Sequence, residues 1–331
     1  MPANLTAQYK AAEERYRQAA LHDEKLDALR EMLALLPKHK GTEKLQADLK
    51  KRIAKLEEEG EHVAKSGHRG PDPSHVKKEG AGQWVLLGAP NAGKSSLLKV
   101  LTHAHPEIAE YPFTTRVPQP GMMPFEDVLV QLVDTPAVAA GHTEHWLPNL
   151  ARNADGLLLV LDVTADDVAE SWRALMEFLD HARVCPRGRP LPPGASPLVQ
   201  VKPALVLGNR SDEDSDGTFA ALAREEVGPG LPFFSVSAVR GDGLDAVKPI
   251  LFRELHRIRV HTKEPGHPPD AGKPFVLPES ATIDDLARLV HQDLAARLKF
   301  ARLWGSHARF DGQQVDRHHV LADGDVVELH S

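Results

Sequence analysis

One segment of the chain has the residue types and spacing of a phosphate-binding loop. In order, its residues are Gly88, Ala89, Pro90, Asn91, Ala92, Gly93, Lys94 and Ser95. They match the pattern G-x-x-x-x-G-K-[ST], with an apolar run before them at 84–87 and a helical pattern after them that Ser96 opens. The glycines let successive backbone N–H groups converge on phosphate oxygens at a helix N-terminus. We expect Lys94 to reach the β- and γ-phosphates of a nucleotide and the Ser95 hydroxyl to ligate Mg²⁺.

Two further segments are placed to complete a triphosphate site. Residues 112–115 precede the next apolar strand, and Thr115 is expected to join the Mg²⁺ ligands only while a γ-phosphate is present. Asp134 ends the apolar run 128–133, where its carboxylate can hold Mg²⁺ through water. The backbone N–H of Ala137 can then meet the γ-phosphate. Lys94 and Thr115 are the predicted catalytic residues, and Ser95, Thr115 and Asp134 the predicted Mg²⁺ ligands.

Two motifs later in the chain predict recognition of guanine. Asn209, Arg210 and Asp212 follow the apolar run 204–207, and Ser237 and Ala238 follow the run 233–236. A carboxylate at position 212 accepts two hydrogen bonds from guanine N1–H and its 2-amino group, a donor pair that adenine lacks. A backbone N–H after the second run can reach the guanine oxygen. Each motif is weak alone, but their order at the carboxyl ends of strands favours one guanine-nucleotide site.

The elements that must hold these motifs alternate between strand and helix. Five short apolar runs predict strands at 84–87, 128–133, 157–161, 204–207 and 233–236. Helical patterns lie between them, including 166–182, for which Thr164 is the predicted N-cap. Near-continuous apolar strands separated by helices indicate an α/β fold with a parallel-type sheet that helices cover on both faces.

Composition shifts divide the 331 residues into four parts. A charged helical hairpin is predicted at 1–65, because apolar residues share a helical face on either side of a break at 37–41. A Gly- and Pro-rich linker follows at 66–82, and the nucleotide-binding (GTPase) domain is predicted at 83–262. Residues 272–331 predict a small α+β module with strands at 274–277 and 326–329 and a helix that Thr282 caps.

Bulk composition limits the compartment and the partners. A formal net charge of −7 argues against a protein that coats nucleic acid nonspecifically, although a local basic patch stays possible. The single cysteine, Cys185, excludes an internal disulfide and fits a reducing compartment. No apolar run approaches the roughly 20 residues of a membrane span, and no hydrophobic signal segment begins the sequence. We therefore expect a cytoplasmic protein that has no membrane partner.

Together with the phosphate-binding loop, residues 111–115 and 239–244 make the chain similar to the Obg-related GTPases. Residues 38–58 and 257–263 resemble the N-terminal helices and the domain junction of its developmentally regulated GTP-binding (DRG) branch. Residues 298–305 and 319–327 resemble the TGS module, a β-grasp fold. The resemblance implies a translation-associated GTPase that uses Mg²⁺, with the TGS module and the N-terminal helices as docking surfaces for RNA or the ribosome. For Phe300 and Trp304 of this module we expect a core role, with base stacking as the alternative.

The sequence departs from the family pattern near the predicted γ-phosphate. The family has glycine where Ala137 stands and lysine where Arg210 stands, and its inserted small domain is missing. Where some GTPases have a glutamine that orients water, this chain has Val138. In GTPases that share the Gly-x-Pro-Asn loop, the residue matching Asn91 ligates K⁺, although an asparagine also suits a tight turn. Two functions stay open: a Mg²⁺-dependent, K⁺-stimulated GTPase switch, and a guanine-nucleotide sensor with negligible hydrolysis.

Overall fold

The computed structural model describes residues 7–18, 22–36, 42–66, 73–102, 117–139, 143–191, 194–265, 267, 272–305 and 308–330. The N-terminal part contains three helices in this range, α1 (Ala7–Gln18), α2 (His22–Leu35) and α3 (Glu43–Ser66). They share a core in which Tyr9 of α1, Leu29 of α2 and Leu49 of α3 are buried. The helices predicted on either side of the break at 37–41 correspond to α2 and α3, and α1 is a further helix that the predicted hairpin did not include.

Ion pairs hold α2 against the nucleotide-binding domain. Glu31, which is 3% exposed, accepts two hydrogen bonds from Arg15 of α1 at 2.8 and 2.7 Å and pairs with Arg183 at 3.2 Å. Asp27 pairs with Arg152 at 2.8 Å. A buried carboxylate between two guanidinium groups keeps its charge partners, because leaving it unpaired would cost several kcal/mol (about 3–5).

The central domain follows the predicted alternation of strands and helices. Its elements are β1 (Gln83–Gly88), α4 (Lys94–Thr102), β2 (Gln119–Phe125), β3 (Val128–Asp134), α5 (Leu147–Asn153), β4 (Gly156–Asp162), α6 (Val168–His181), β5 (Val184–Pro186), β6 (Gln200–Lys202), β7 (Ala204–Asn209), α7 (Thr218–Val227), β8 (Phe233–Ser235) and α8 (Leu244–Arg253). Six strands form one sheet in the order β2-β3-β1-β4-β7-β8. β5 and β6 pair separately.

Alternating side chains fill a separate hydrophobic core on each face of this sheet. In β4, Leu157, Leu159 and Leu161 belong to one core, and Leu158 and Val160 belong to the other. Because both faces are covered, the strand is apolar throughout. Full burial of each leucine contributes about 1.5–3 kcal/mol. This packing fixes the carboxyl ends of β1, β3, β4 and β7 side by side, where the predicted site residues stand.

Edge strand β2 was not predicted. It runs antiparallel to β3 with Gln119 opposite Asp134, while β3, β1, β4, β7 and β8 are parallel. Its sequence contains Pro120 and Pro124, which normally argue against a strand. An edge strand tolerates proline because one row of its backbone N–H groups has no ladder partner. The sheet is therefore mixed rather than wholly parallel.

The predicted cap of α6 was also wrong. Thr164 donates its hydroxyl to Asp162 Oδ1 at 2.7 Å, and the helix begins only after Asp167, whose side chain makes no capping bond. The segment predicted as a linker differs too in its described part. Ala81 N donates to Leu129 O at 2.7 Å, and Val76 packs against the core.

A second sheet forms the C-terminal domain. Its elements are β9 (Arg257–Thr262), β10 (Phe275–Pro278), α9 (Ile283–Val290), α10 (Gln292–Arg297), β11 (Phe300–Trp304), β12 (Gln313–Val315) and β13 (Asp325–His330), with strand order β10-β9-β13-β11-β12. Thr282 caps α9 in a reciprocal capping box with Asp285, as predicted for this helix start. The structure places 257–262 in this sheet, whereas the predicted boundary counted them with the nucleotide-binding domain.

Arg259 of β9 connects the two domains. Its guanidinium donates to Asp323 Oδ2 at 2.6 Å within the C-terminal domain and to Asp127 Oδ1 at 3.0 Å in the turn between β2 and β3. Glu126 of the same turn accepts a further bond, and the guanidinium lies 5.2 Å from the Phe252 ring centroid. Across the parts of the chain that are described, no helix is both long enough and apolar enough to span a bilayer.

Candidate guanine-nucleotide site

The phosphate-binding loop joins β1 to α4 through two residues with left-handed backbone angles. Asn91 has φ 59° and Gly93 has φ 92°, which turn the chain sharply before Lys94 opens the helix. At the start of the loop, Gly88 lies so close to β4 that an added Cβ would stand 2.3 Å from Val160 O. The Val138 N–H donates to Gly88 O at 3.0 Å, which ties the segment after β3 to the loop.

Lys94 is buried beneath this loop. Its Nζ donates to Gly88 O at 3.0 Å and to Ala89 O at 2.9 Å. Burial lowers the pKa of Lys94 to about 8, although the negative charge of Asp134 opposes this shift. The main-chain carbonyls therefore hold the Lys94 amine in a weakly solvated position. The negative charge of a bound polyphosphate would stabilise the protonated amine there.

Ser95 and Asp134 form a pair of oxygen donors beside Lys94. Ser95 Oγ donates to Asp134 Oδ2 at 2.5 Å, and Asp134 is 1% exposed. Its second oxygen, Oδ1, is buried and has no hydrogen-bond partner within the described chain. Burial raises the pKa of Asp134, while the bond from Ser95 and the charge of Lys94 lower it. A hydroxyl and an unsatisfied carboxylate oxygen are ligands that Mg²⁺ prefers, so these residues fit the ion that a GTPase fold implies.

Asn209 at the end of β7 links the two halves of the site. Its Nδ2 donates to Ala92 O at 2.9 Å in the phosphate-binding loop, and its Oδ1 accepts from Ala238 N at 3.0 Å. The side chain is fully engaged and 3% exposed. An added Cβ on Gly93 would stand 2.1 Å from the same Nδ2, so glycine is needed there for space as well as for backbone conformation. Asn209 therefore positions the loop and the second guanine motif relative to each other.

Asp212 lies at the partly exposed end of the site. Ser237 Oγ donates to Asp212 Oδ1 at 2.6 Å and accepts from Arg240 N at 3.0 Å. The bond from Ser237 lowers the pKa of Asp212, so the carboxylate stays ionised over the neutral range. An ionised, oriented carboxylate is the acceptor that the guanine N1–H and 2-amino pair requires.

Arg210 occupies the left-handed region with φ 69° and reaches across the loop. One of its terminal nitrogens donates to Asn91 O at 3.3 Å, and its Nε pairs with Asp162 Oδ2 at 3.1 Å. Asp162 was not among the site residues predicted from the sequence. A signal was available, because Asp162 ends the apolar run of β4 just as Asp134 ends that of β3.

Known proteins resemble this chain in both of its larger domains. The family described as 50S ribosome-binding GTPase matches residues 83–187, and the TGS domain family matches residues 258–331. An uncharacterized GTP-binding protein of Halobacterium salinarum is 29% identical over 93% of this chain and 98% of its own length. Developmentally-regulated G-protein 2 of Arabidopsis thaliana is 27% identical, covering 92% of this chain and 90% of its own. The chain is similar to GTP-binding proteins of the DRG type over most of its length.

One solved structure also resembles this chain in part. The GTP binding protein from Pyrococcus horikoshii OT3 is 18% identical, with a TM-score of 0.46 over 75% of this chain and 99% of that one. Developmentally-regulated GTP-binding protein 2 of Mus musculus is 24% identical over 92% of this chain and 98% of its own length. The DRG-type relatives thus match both domains together.

The segment that follows β3 packs inward. Val138 is 3% exposed and belongs to the core on one face of the sheet. Thr135 donates its hydroxyl to Leu86 O at 2.6 Å, a contact that the sequence analysis did not identify. Ala137 lies half-buried between them. Of the predicted site residues, Thr115 lies outside the described residues. The others stand at the carboxyl ends of β1, β3, β7 and β8, in the loops that follow or, for Lys94, Ser95 and Ser96, in the first turn of α4.

Proposed function

We propose that the protein hydrolyses GTP to GDP and phosphate as a Mg²⁺-dependent molecular switch. The observation that carries this proposal is the convergence of Lys94, Ser95 and Asp134 beneath the loop, 2.5–3.0 Å from their partners. A buried cation and two Mg²⁺-type oxygens at a helix N-terminus suit a polyphosphate. The bases are then distinguished by Asp212, which Ser237 orients.

The predicted catalytic and metal-binding residues have distinct roles in this proposal. Lys94 moves from the loop carbonyls to the β- and γ-phosphate oxygens and stabilises the charge that develops on them. Ser95, Thr115 and Asp134 would hold Mg²⁺, which when bound neutralises phosphate charge. The Ala137 N–H donates to the γ-phosphate, and its release after hydrolysis frees this segment. Asn209 and Ala238 keep the base pocket aligned with the loop.

Stimulation by K⁺ is a further part of the proposal. With Val138 in the core, no side chain at that position orients the attacking water, so an additional positive charge near the phosphates has a clear use. Asn91 is exposed on the loop, and its side-chain oxygen would be a K⁺ ligand. Its left-handed φ of 59° is equally what a turn asparagine adopts, so the geometry fits both roles.

The alternative function is guanine-nucleotide sensing with negligible hydrolysis. The burial of Val138 favours it, because a site that cannot place water hydrolyses slowly. Under this alternative the protein still binds GTP and GDP through the same residues. The two functions differ only in turnover.

Phosphate release from the purified protein separates them. We expect steady release from GTP in MgCl₂ and KCl that Lys94→Ala removes, because this lysine is the cation nearest the loop. A rate equal to that of the Lys94→Ala protein in both KCl and NaCl would leave only the sensing function. Nucleotide binding, measured alongside, shows that the wild-type sample is competent.

We also propose a cytoplasmic location and an association with translation or ribosomes. The family description of residues 83–187 as a 50S ribosome-binding GTPase and the match of residues 258–331 to TGS domains support it. The C-terminal sheet and the N-terminal helices are the proposed docking surfaces. Sedimentation with ribosomes in a GTP analogue and in GDP tests this association, and equal absence from the pellet in both would contradict it.

A further inference from the structure

The outer face of the C-terminal sheet carries aromatic rings outside the domain core. In β11 the buried residues are Ala301 and Leu303, so Phe300, Arg302 and Trp304 point to the opposite face. Phe300 and Trp304 are partly exposed and do not belong to the hydrophobic core of this domain. The core role expected from the sequence therefore does not hold for these two rings.

Cross-strand contacts fix both rings on this face. Phe300 lies opposite His330 of β13, and the two rings stack with centroids 4.5 Å apart and planes 15° apart. Lys263 places its Nζ 4.1 Å from the centroid of the Trp304 ring. The two aromatic positions are four residues apart along β11, or about 13 Å in a strand. They form two separated stacking positions that are already ordered, so a ligand need not order them.

The charge between the rings is positive. Glu328 is the carboxylate of this face of β13, and its side chain is 5% exposed because Lys263 holds it at 2.9 Å and His330 at 2.6 Å. Arg302 lies opposite Glu328 in register and is exposed. Within the described parts of the chain the Arg302 side chain forms no ion pair or hydrogen bond. A free guanidinium thus stands midway between the two aromatic positions, on a protein whose net charge is −7.

We infer that this face, formed by Lys263, Phe300, Arg302, Trp304 and His330, binds a short single-stranded segment of RNA. Bases stack on Phe300 and Trp304, and the phosphate between them contacts Arg302. Stacking on rings spaced along a sheet, with a cation for the backbone, is how single strands are held, since their bases are unstacked and reachable. A duplex keeps its bases paired and would leave both rings without a role.

The choice of RNA over DNA rests on the proposed association with ribosomes. The choice of a stacked single strand rests on the two rings and the charge between them. The inference narrows that association to one sheet face and one class of partner. It makes no use of the nucleotide site, so the two can fail separately.

Fluorescence anisotropy of labelled decamers of adenosine and of uridine, titrated with the full-length protein, tests the inference. Trp304→Ala is expected to weaken binding about tenfold, the effect of removing one stacked base. Trp304→Phe should stay within about threefold of wild type, because it keeps a ring. Arg302→Glu should weaken binding about tenfold and reduce the dependence of log K on log salt by about 0.7, the contribution of one phosphate.

Two control variants make the same kinds of substitution on helices of the nucleotide-binding domain, outside the proposed RNA-binding face. Arg173→Glu reverses an exposed arginine on α6, and Phe219→Ala removes a ring that is 47% exposed on α7. Both should bind the decamers like wild type. GDP affinity and a thermal melt, measured for every variant, show that the fold is intact, and Arg302→Glu gives a result even if Trp304→Ala unfolds the domain.

Several results would overturn the inference. Equal losses in the Arg173→Glu protein would mean a nonspecific charge effect, and tighter binding to a duplex would exclude the stacked mode. Equal affinity for labelled decamers of deoxyadenosine and of thymidine, titrated in the same way, would remove the assignment to RNA. If the Arg302→Glu protein binds RNA normally but no longer sediments with ribosomes, the face contacts protein instead. Absence of RNA binding in a protein that hydrolyses GTP would defeat this inference and leave the proposed function standing.

Discussion

The phosphate end and the base end of the site use carboxylates in opposite environments. Asp134 is 1% exposed, and burial raises its pKa. Asp212 is partly exposed, and a hydrogen bond from Ser237 lowers its pKa. Asp134 is poorly solvated and lies beside Lys94, whose own pKa is lowered to about 8. Asp212 is ionised and is held in position by its hydrogen bond.

The difference follows from what each end must recognise. Phosphate and Mg²⁺ are charged, and a weakly solvated site strengthens attraction to them at a cost to the stability of the protein alone. A base edge is neutral, and its recognition depends on the direction of two hydrogen bonds. Asn209 makes hydrogen bonds to both ends and keeps a rigid distance between them.

The largest change in nucleotide affinity is expected from Gly93→Ala, because Gly93 packs against Asn209, which links the two ends of the site. The new Cβ would stand 2.1 Å from Asn209 Nδ2 at a residue with φ 92°. Backbone strain and loss of the Asn209 bond together cost about 3 kcal/mol, or a loss of GDP affinity of roughly 100-fold. Calorimetric titration measures it, with Gly217→Ala as a control that has positive φ but open space around the Cβ. Unchanged affinity would mean that the ends are not coupled through Asn209.

Asp212→Asn should affect only the base end. The amide offers a donor where the carboxylate accepted, so preference should shift from GTP to XTP by about 100-fold, while hydrolysis of bound XTP continues. Competition between labelled GDP and unlabelled XDP measures the shift. If the variant keeps the GTP affinity of wild type, Asp212 does not read the base.

The cation effect should be confined to the phosphate end. We expect phosphate release in KCl to be about tenfold faster than in NaCl, equivalent to about 1.4 kcal/mol of barrier. Asn91→Gly keeps the left-handed φ of 59° accessible while removing the side-chain oxygen, so it should abolish the difference between the salts. Equal rates in both salts for wild type would reduce Asn91 to a turn residue.

The smallest effect concerns stability. A carboxyl with a raised pKa holds its proton more tightly in the folded than in the unfolded chain. Asp134 should therefore make the nucleotide-free protein more stable as the pH falls from neutral toward the ordinary carboxyl range. Asp134→Asn should remove this dependence and raise Tm at neutral pH by about 2–4 °C, even though nucleotide binding weakens.

Asp212→Asn is the control for that melt. The pKa of Asp212 in the wild-type protein is lowered, so its effect on stability has the opposite sign. The Asp212 carboxylate stabilises the folded protein at neutral pH, and this contribution is lost as the pH falls below the ordinary carboxyl range. Thermal melts in buffers from pH 5 to 8 compare the two variants. A fall in Tm for the Asp134→Asn protein at neutral pH would show that the buried charge is fully compensated.

Strong local patterns made the core of the fold predictable. The five apolar runs became strands because both faces of the sheet are buried, which leaves few polar positions, such as Gln131 in β3, to interrupt the pattern. Thr282 caps α9 as predicted, and the Asp285 side chain accepts a hydrogen bond from the Thr282 backbone N–H in return. Thr164 has a similar pattern, but Asp162 takes its hydroxyl, a competition that spacing along the chain does not reveal.

The rest depended on tertiary contacts. Pro120 and Pro124 hid an edge strand that only pairing with β3 defines. The residues of the site were placed by motif, but their connection through Asn209 and the role of Asp162 required knowing which loops meet. Trp304 looked like a core residue by type, and only strand alternation placed it on the outer face.

Isothermal titration calorimetry with GDP and with ADP, each in excess Mg²⁺, shows whether the buried phosphate end and the oriented carboxylate act as one site. We expect strong binding of GDP, with ADP weaker by at least about 100-fold because adenine lacks the donors that Asp212 accepts. No heat with GDP would contradict the phosphate site, and equal affinities for GDP and ADP would contradict the base site.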